Sequence, residues 1–265
     1  MYPPLKYPDL FYWTLNTIKK HGIKIKKKLS QNFVVNPKIV KDIIKRIEPR
    51  YHCIEIGAGI GTLSYYLGIV KRKYCVHYEI DEELCRVAVE LLNPNSVLIR
   101  GDALLYDWVV EEIVSNAPYH ITSDIIVKTA RTNTIKKAVF VFQRDVVERL
   151  NAEPGTREYG RITVLVQLLF NIEPGPVYPP SYFYPRPEVS SQLVVFTRKR
   201  LYDDLISKLE EVTRRLFSKR RKKALKVIRR DLGLGEEELR KLGISDEKRV
   251  YELSPGELLR IAEII

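Results

Sequence analysis

Apolar positions recur with helical spacing between Asn36 and Pro49, where Ile39, Val40, Ile43, Ile44 and Ile47 share one face. Asn36 stands where a cap belongs and Pro37 at the first helical position, where its missing N–H costs nothing. Beyond Pro49 the pattern shortens. HCIEIG predicts a strand running into glycines, TLSYYLGIV a helix and CVHYEI a second strand, together a β-α-β unit. The alternation continues through DEELCRVAVELL, SVLIRGD, EEIVSN, TSDIIVKTA and KAVFVFQ, which implies an α/β fold with a mostly parallel sheet covered on both faces. After RDVVERL and RITVLVQLLF, the proline-rich YPPSYFYPRPEV leads to one more strand, SQLVVFTR. From about Leu201 only helical patterns remain, so the boundary falls near Lys199, between an α/β domain over 1–199 and a small all-helical domain over 200–265.

Composition narrows the function classes. Of the 265 residues 45% are hydrophobic and 29% charged, enough to bury a core. Lys and Arg outnumber Asp and Glu by 45 to 33, and the net charge of +12 favours a polyanionic partner. No stretch approaches the ~20 apolar residues that cross a bilayer, and the start lacks a leader pattern, so a cytoplasmic protein with no membrane partner is expected. Cys53, Cys75 and Cys85 lack Cys-x-x-Cys spacing and the histidines are scattered, so neither a disulfide framework nor a metal site is expected; Cys53 and Cys75 read as small buried residues.

The run EIGAGIG, Glu55 to Gly61, follows a strand and opens a helix, where an open α/β sheet binds its ligand. A dinucleotide fingerprint would place Gly or Ala three positions after Gly59, and the chain has Thr62 there. The spacing of Gly57, Gly59 and Gly61 fits S-adenosylmethionine better, since that cofactor has no pyrophosphate to set on a helix; a plain strand-to-helix turn would carry the same glycines. Glu79 ends the second strand, where it can accept from both ribose hydroxyls, and Asp102 ends the third, where it can accept from the cofactor's adenine amine. Each alone could be a helix cap or a solvated loop charge.

SNAPYHI, Ser115 to Ile121, has the N-x-P-Y form. The exocyclic nitrogen of adenine is a poor nucleophile because its lone pair is delocalised into the ring. Two acceptors aimed at its protons, the side-chain oxygen of Asn116 and the backbone carbonyl of Ala117 held extended by Pro118, would draw it towards tetrahedral geometry. Tyr119 would stack on the extruded base. The competing reading is a Pro-Tyr turn after a strand.

In order, LSQNFVVNP, IEIGAGIGTL, YEID, GDAL, SNAPYHI, EYGRITVLVQ, FYPRPEVSS and LFSKRRKKAL resemble the ribosomal RNA adenine N6,N6-dimethyltransferase family over most of the chain. The resemblance implies a Rossmann-like methyltransferase domain using S-adenosylmethionine. It implies that Asn32 and the backbone of Val34 border the cofactor with Gly57, Gly59, Glu79, Asp102 and Asn116, and that Phe183 closes over the target adenine opposite Tyr119. It also implies two adjacent adenosines near the 3′ end of small-subunit ribosomal RNA as substrates, each doubly methylated during ribosome biogenesis. Ala58 and Ala117 replace a frequent proline and leucine, and the first ~21 residues have no counterpart in the family pattern.

Between Arg214 and Arg230 stand 10 basic residues and no acidic one, among them Lys219, Arg220, Arg221, Lys222, Lys223 and Lys226. Uncompensated, such charges repel unless a polyanion is present, which points to RNA rather than to a solvated face. KIKKK, Lys24 to Lys28, could extend that track. The partner expected is small-subunit RNA or its precursor particle, with the protein a monomer by default. Three other functions compete: a large-subunit methyltransferase of the antibiotic-resistance type, an assembly factor whose RNA binding matters more than its catalysis, and a DNA adenine methyltransferase.

Overall fold

The computed structural model describes residues 2–69 and 74–265. In chain order these form α1 (Asp9–Lys20), β1 (Phe33–Val34), α2 (Pro37–Ile44), β2 (Cys53–Ile56), α3 (Thr62–Ile69), β3 (Cys75–Glu79), α4 (Glu82–Ala88), β4 (Ser96–Arg100), β5 (Glu112–Asn116), α5 (Thr122–Arg131) and β6 (Lys137–Gln143). There follow α6 (Arg144–Leu150), α7 (Arg161–Leu169), β7 (Phe170–Tyr178), β8 (Phe183–Tyr184), β9 (Ser191–Arg198), α8 (Asp204–Phe217), α9 (Ala224–Leu232), α10 (Glu236–Leu242) and α11 (Pro255–Ile264). The helix expected over TLSYYLGIV is present to Ile69, and Val70 lies outside the described residues.

The main sheet has seven strands in the order β4-β3-β2-β5-β6-β9-β7. Its pairs from β4 to β6 are parallel and β9 runs antiparallel to β6, so the mostly parallel α/β sheet is as expected. The order reverses between β2 and β5. That switch opens a crevice beyond the carboxyl ends of these strands, where such sheets bind ligands. Asn36 caps α2 as its sequence suggests, its side chain accepting from the Lys38 amide, and Pro37 occupies the first turn.

Contacts divide the chain into two compact units. The α/β unit runs to Arg144 and resumes over Glu173–Thr197; the helical unit comprises Asp145–Ile172 with Arg198–Ile265. The boundary near Lys199 therefore omits one segment from the helical side. The reason is packing: α7 lies against α8 and α11, and buried Tyr159, just ahead of α7, donates its hydroxyl to the Leu253 carbonyl at 2.8 Å. No periodicity in RITVLVQLLF distinguishes a helix packed on a sheet from one packed on helices.

One further point departs from the sequence reading. Cys53 and Cys75 stand opposite each other in the parallel register of β2 and β3, with Cα atoms 4.6 Å apart, and are joined as a disulfide; Cys85 is free. Their pairing is set by the β-α-β crossover and leaves no spacing motif. The N-terminal extension, to which the sequence reading assigned no element, carries a helix: Leu10 and Trp13 of α1 are buried in the apolar cluster with Ile39, Ile43 and Tyr178. Tyr66 donates its hydroxyl to the Pro3 carbonyl, and Tyr2 stacks on Tyr65 at 4.9 Å. Since Leu10 is fully buried, Leu10→Ala should lower the unfolding free energy by about 2–5 kcal/mol. Urea denaturation measures this, and a loss below about 0.5 kcal/mol would show that α1 does not belong to the core.

Candidate active site

A crevice opens at the switch point, beyond the carboxyl ends of β2 and β5. Its wall contains Asn32, Val34, Gly57, Gly59, Glu79, Asp102, Asn116, Ala117, Pro118 and Tyr119. These residues, drawn from separate segments of the sequence, are thus brought together. Phe183 is not among them: it is 1% exposed and faces Val34 in the two-stranded ladder of β1 and β8.

The glycine loop lies against the N-x-P-Y segment. Gly57 adopts φ +76°, and a Cβ there would stand 3.3 Å from the Pro118 ring, so the strand-to-loop turn needs glycine both for its backbone and for this approach. Ala58, where the family often has proline, donates its amide to the Tyr78 carbonyl at 3.0 Å, a bond proline would lack. One turn further on, Thr62 belongs to the cavity wall, its hydroxyl buried and unpartnered among the described residues.

Glu79 is buried, and each of its oxygens accepts one backbone amide: Oε1 from Asp81 at 2.9 Å and Oε2 from Gly59 at 2.8 Å. A carboxylate has about four acceptor positions, so roughly two remain for a ligand diol. Burial raises its pKa above the ordinary 4.5, against the lowering effect of those two amides. Asp102 caps the turn at Ala103–Leu105, Oδ1 accepting from the Leu104 amide at 2.9 Å; it is both a cap and part of the cavity wall.

Asn116 is held at the end of β5 by its own amide, Nδ2 donating to the Asn32 carbonyl at 3.1 Å. This orientation leaves Oδ1 as the acceptor presented to the cavity. Tyr119 is half-buried and its hydroxyl pairs with Ser191 Oγ at 2.8 Å. Burial raises its pKa, so the phenol remains protonated at neutral pH.

Sequence reasoning missed three groups linked beside the cavity, of which Gln31 belongs to its wall. Lys26 Nζ and Gln31 Nε2 both bind the Asp81 carboxylate at 2.6 Å, and Gln31 Oε1 accepts the Lys26 amide at 2.7 Å. Burial pushes the Asp81 carboxyl up, but the hydrogen bonds from Lys26 and Gln31 outweigh it and hold the pKa below the usual range. The segment leading into Asn32 is thereby latched to the loop after β3. Part of the KIKKK run serves this latch, while Lys27 and Lys28 are exposed. Glu55, also in the wall, accepts from Ser64 Oγ and contacts His77 Nδ1, both at 2.6 Å.

In the helical unit the basic stretch is less uncompensated than it reads. Lys219 pairs with Asp231, Lys223 with Glu247, Arg214 and Arg215 with Glu211, and Arg229 with Glu236. Arg220 donates to the carbonyls of Thr156, Arg157 and Tyr159, so it braces the loop before α7. Arg221, Lys222 and Lys226 are exposed and make no ion pair among the described residues.

An open α/β sheet with a glycine loop and strand-end carboxylates around a crevice at its switch point fits an S-adenosylmethionine-dependent methyltransferase. The sequence model of the Ribosomal RNA adenine dimethylase family matches residues 22–265, and the chain belongs to that family. It is 36% identical over 239 residues to "Probable ribosomal RNA small subunit methyltransferase A" of Pyrobaculum aerophilum, covering 89% of this chain and 96% of the relative. The Ribosomal RNA small subunit methyltransferase A of Thermotoga neapolitana is 34% identical, with 95% of each chain covered. Among solved structures, a dimethyladenosine transferase from Plasmodium falciparum superposes with a TM-score of 0.74 over 86% of this chain and 95% of that one, at 23% identity. The 23S rRNA methyltransferase ErmE gives 0.67 over 88% and 98%, at 25% identity. The chain is thus an rRNA adenine dimethyltransferase that uses S-adenosylmethionine. Among the described residues no helix is long and apolar enough to cross a membrane, and no cluster of His, Cys, Asp and Glu could hold a metal.

The donor set suits the cofactor: a carboxylate with free acceptor positions for a diol, glycines that let the backbone approach, and an unpartnered Thr62 hydroxyl. The raised pKa of Glu79 has two consequences of opposite sign. Its contribution to folding stability is complete below the ordinary 4.5 and is lost as pH rises through the raised value. Cofactor affinity runs the other way, because ribose hydroxyls donate to the ionised form: affinity should fall as pH drops through a value above 4.5. Calorimetric titration of S-adenosylmethionine against pH should show that acid limb in the wild type and lose it in Glu79→Gln; a limb retained by the variant would assign it to another group.

Proposed function

We propose that the enzyme dimethylates N6 of two adjacent adenosines near the 3′ end of small-subunit ribosomal RNA, as a step in ribosome biogenesis in the cytoplasm. The observation that carries the reading is the orientation of Asn116, whose Nδ2 is held by the Asn32 carbonyl so that Oδ1 can accept from a base amine. Small-subunit names on the curated relatives support the choice of RNA over the large-subunit alternative.

Bound S-adenosylmethionine supplies an electrophilic methyl group on its sulfonium. The protein's part is to hold and polarise the acceptor. Asn116 Oδ1 and the Ala117 carbonyl accept the two protons of the adenine amine, and Pro118 keeps that carbonyl extended. This localises the lone pair on nitrogen along the line of displacement. Tyr119, pinned through Ser191, offers its ring face to the base, a contact worth about 1–3 kcal/mol in stacking platforms. No group need act as a dedicated base, since the alkylated amine can lose its proton to water. Glu79, Asp102, Gly57, Gly59, Asn32 and Val34 position the cofactor. Phe183, buried and paired with Val34, would support the β1 segment beside the target base and close over the adenine opposite Tyr119.

RNA docking by the helical unit falls to Arg221, Lys222 and Lys226, whose charges are exposed, with Lys219, Arg220 and Lys223 holding local structure as well.

Incubation with labelled S-adenosylmethionine and unmethylated small or large subunits, followed by RNA digestion, tests the target. Dimethyladenosine from small subunits alone is expected; product from large subunits alone would overturn the assignment. Replacing Arg221, Lys222 and Lys226 together by Ala should weaken RNA binding and reduce the slope of log K against log salt by about 2 to 3. An unchanged slope would return these side chains to a solvated role.

A further inference from the structure

The α/β unit has a second cavity that the methyl-transfer reading does not use. Tyr7, Phe11, Tyr182, Phe183, Tyr184 and Arg186 line it, and no carboxylate does among the described residues. Tyr7 and Phe11 come from the N-terminal extension, outside the stretch that the family model matches. Tyr7 is 62% exposed and Arg186 is exposed, while Phe183 at 1% forms the floor. Aromatic faces beside a guanidinium, with no negative charge, suit a base and its phosphate.

The loop that carries four of these residues is tied to the active site at both ends. At one end Tyr184 and Phe183 pair with Phe33 and Val34, and Val34 belongs to the wall of the first cavity. At the other end Ser191 Oγ holds the hydroxyl of Tyr119. The extension reaches the same place because α1 is anchored from beneath by Leu10 and Trp13, which leaves Tyr7 and Phe11 to border the cavity.

We propose that this aromatic cavity binds an unpaired nucleotide of the RNA next to the target adenosine, its base stacked on Tyr7 and its phosphate at Arg186. The inference rests on the reading of the first cavity as an RNA adenine site. It gives the extension a task, namely holding the neighbouring base so that the target enters the active site in one register.

Tyr7 is largely exposed, so its truncation should leave the fold intact. In the full-length enzyme, Tyr7→Ala should raise KM for unmethylated small ribosomal subunits about tenfold with little change in kcat, while Tyr7→Phe keeps both near wild type. A hairpin RNA with 2-aminopurine beside the target adenosine should lose fluorescence on binding wild type and Tyr7→Phe, and keep it with Tyr7→Ala. If the wild type methylates subunits but leaves the probe bright, or if Tyr7→Ala matches its KM, the proposal is overturned and the activity stands. A wild type that methylates no ribosomal RNA overturns the activity, and the proposal with it.

Discussion

The hydrogen bond from Asn116 Nδ2 to the Asn32 carbonyl joins two segments that the sheet itself leaves apart: the loop ahead of β1 and the end of β5. An asparagine amide is chemically two-faced, and at this position the two faces have opposite consequences. With the NH₂ committed to a backbone oxygen, the carbonyl is the group offered to an incoming amine. Rotated the other way, the side chain would present donors to donors. The loop that fixes it is in turn latched by Lys26 and Gln31 on Asp81, and Asp81 lends its backbone amide to Glu79. Glu79 and Asn116 are therefore joined by one connected chain of contacts.

That chain explains why the sheet topology matters. The reversal of strand order between β2 and β5 leaves the glycine loop and the N-x-P-Y segment side by side, and Gly57 lets them approach to within van der Waals contact of Pro118. Residues that follow β2, β3 and β5 thus line one cavity. In-line transfer needs little beyond such positioning, with reacting atoms brought to about 3–3.5 Å.

The sequence shows the parts of this arrangement whose signals are local. Alternating strands and helices, the glycine loop, the carboxylates at strand ends and the cap at Asn36 all come from contiguous residues, and the structure contains each of them. What it hides depends on partners distant along the chain. The disulfide of Cys53 and Cys75 follows from register across a crossover, and the latch of Lys26 on Asp81 spans 55 positions. The basic stretch reads as uncompensated because Glu236 and Glu247 lie downstream of it, and Arg220 reads as a surface charge although it braces the loop before α7. Phe183 sits within a recognisable motif, yet its burial opposite Val34 arises from a two-residue strand too short to leave a period.

Everything in this site turns on whether the Asn116 side-chain oxygen polarises the target amine. Single-turnover methyl transfer to unmethylated small subunits, measured beside S-adenosylmethionine affinity for wild type and Asn116→Ala, tests it most directly. If it does, the rate of the chemical step in the variant falls by about 10²- to 10³-fold while cofactor affinity changes little. A variant that transfers methyl at the wild-type rate, or one whose loss is accounted for entirely by weaker cofactor binding, would contradict it.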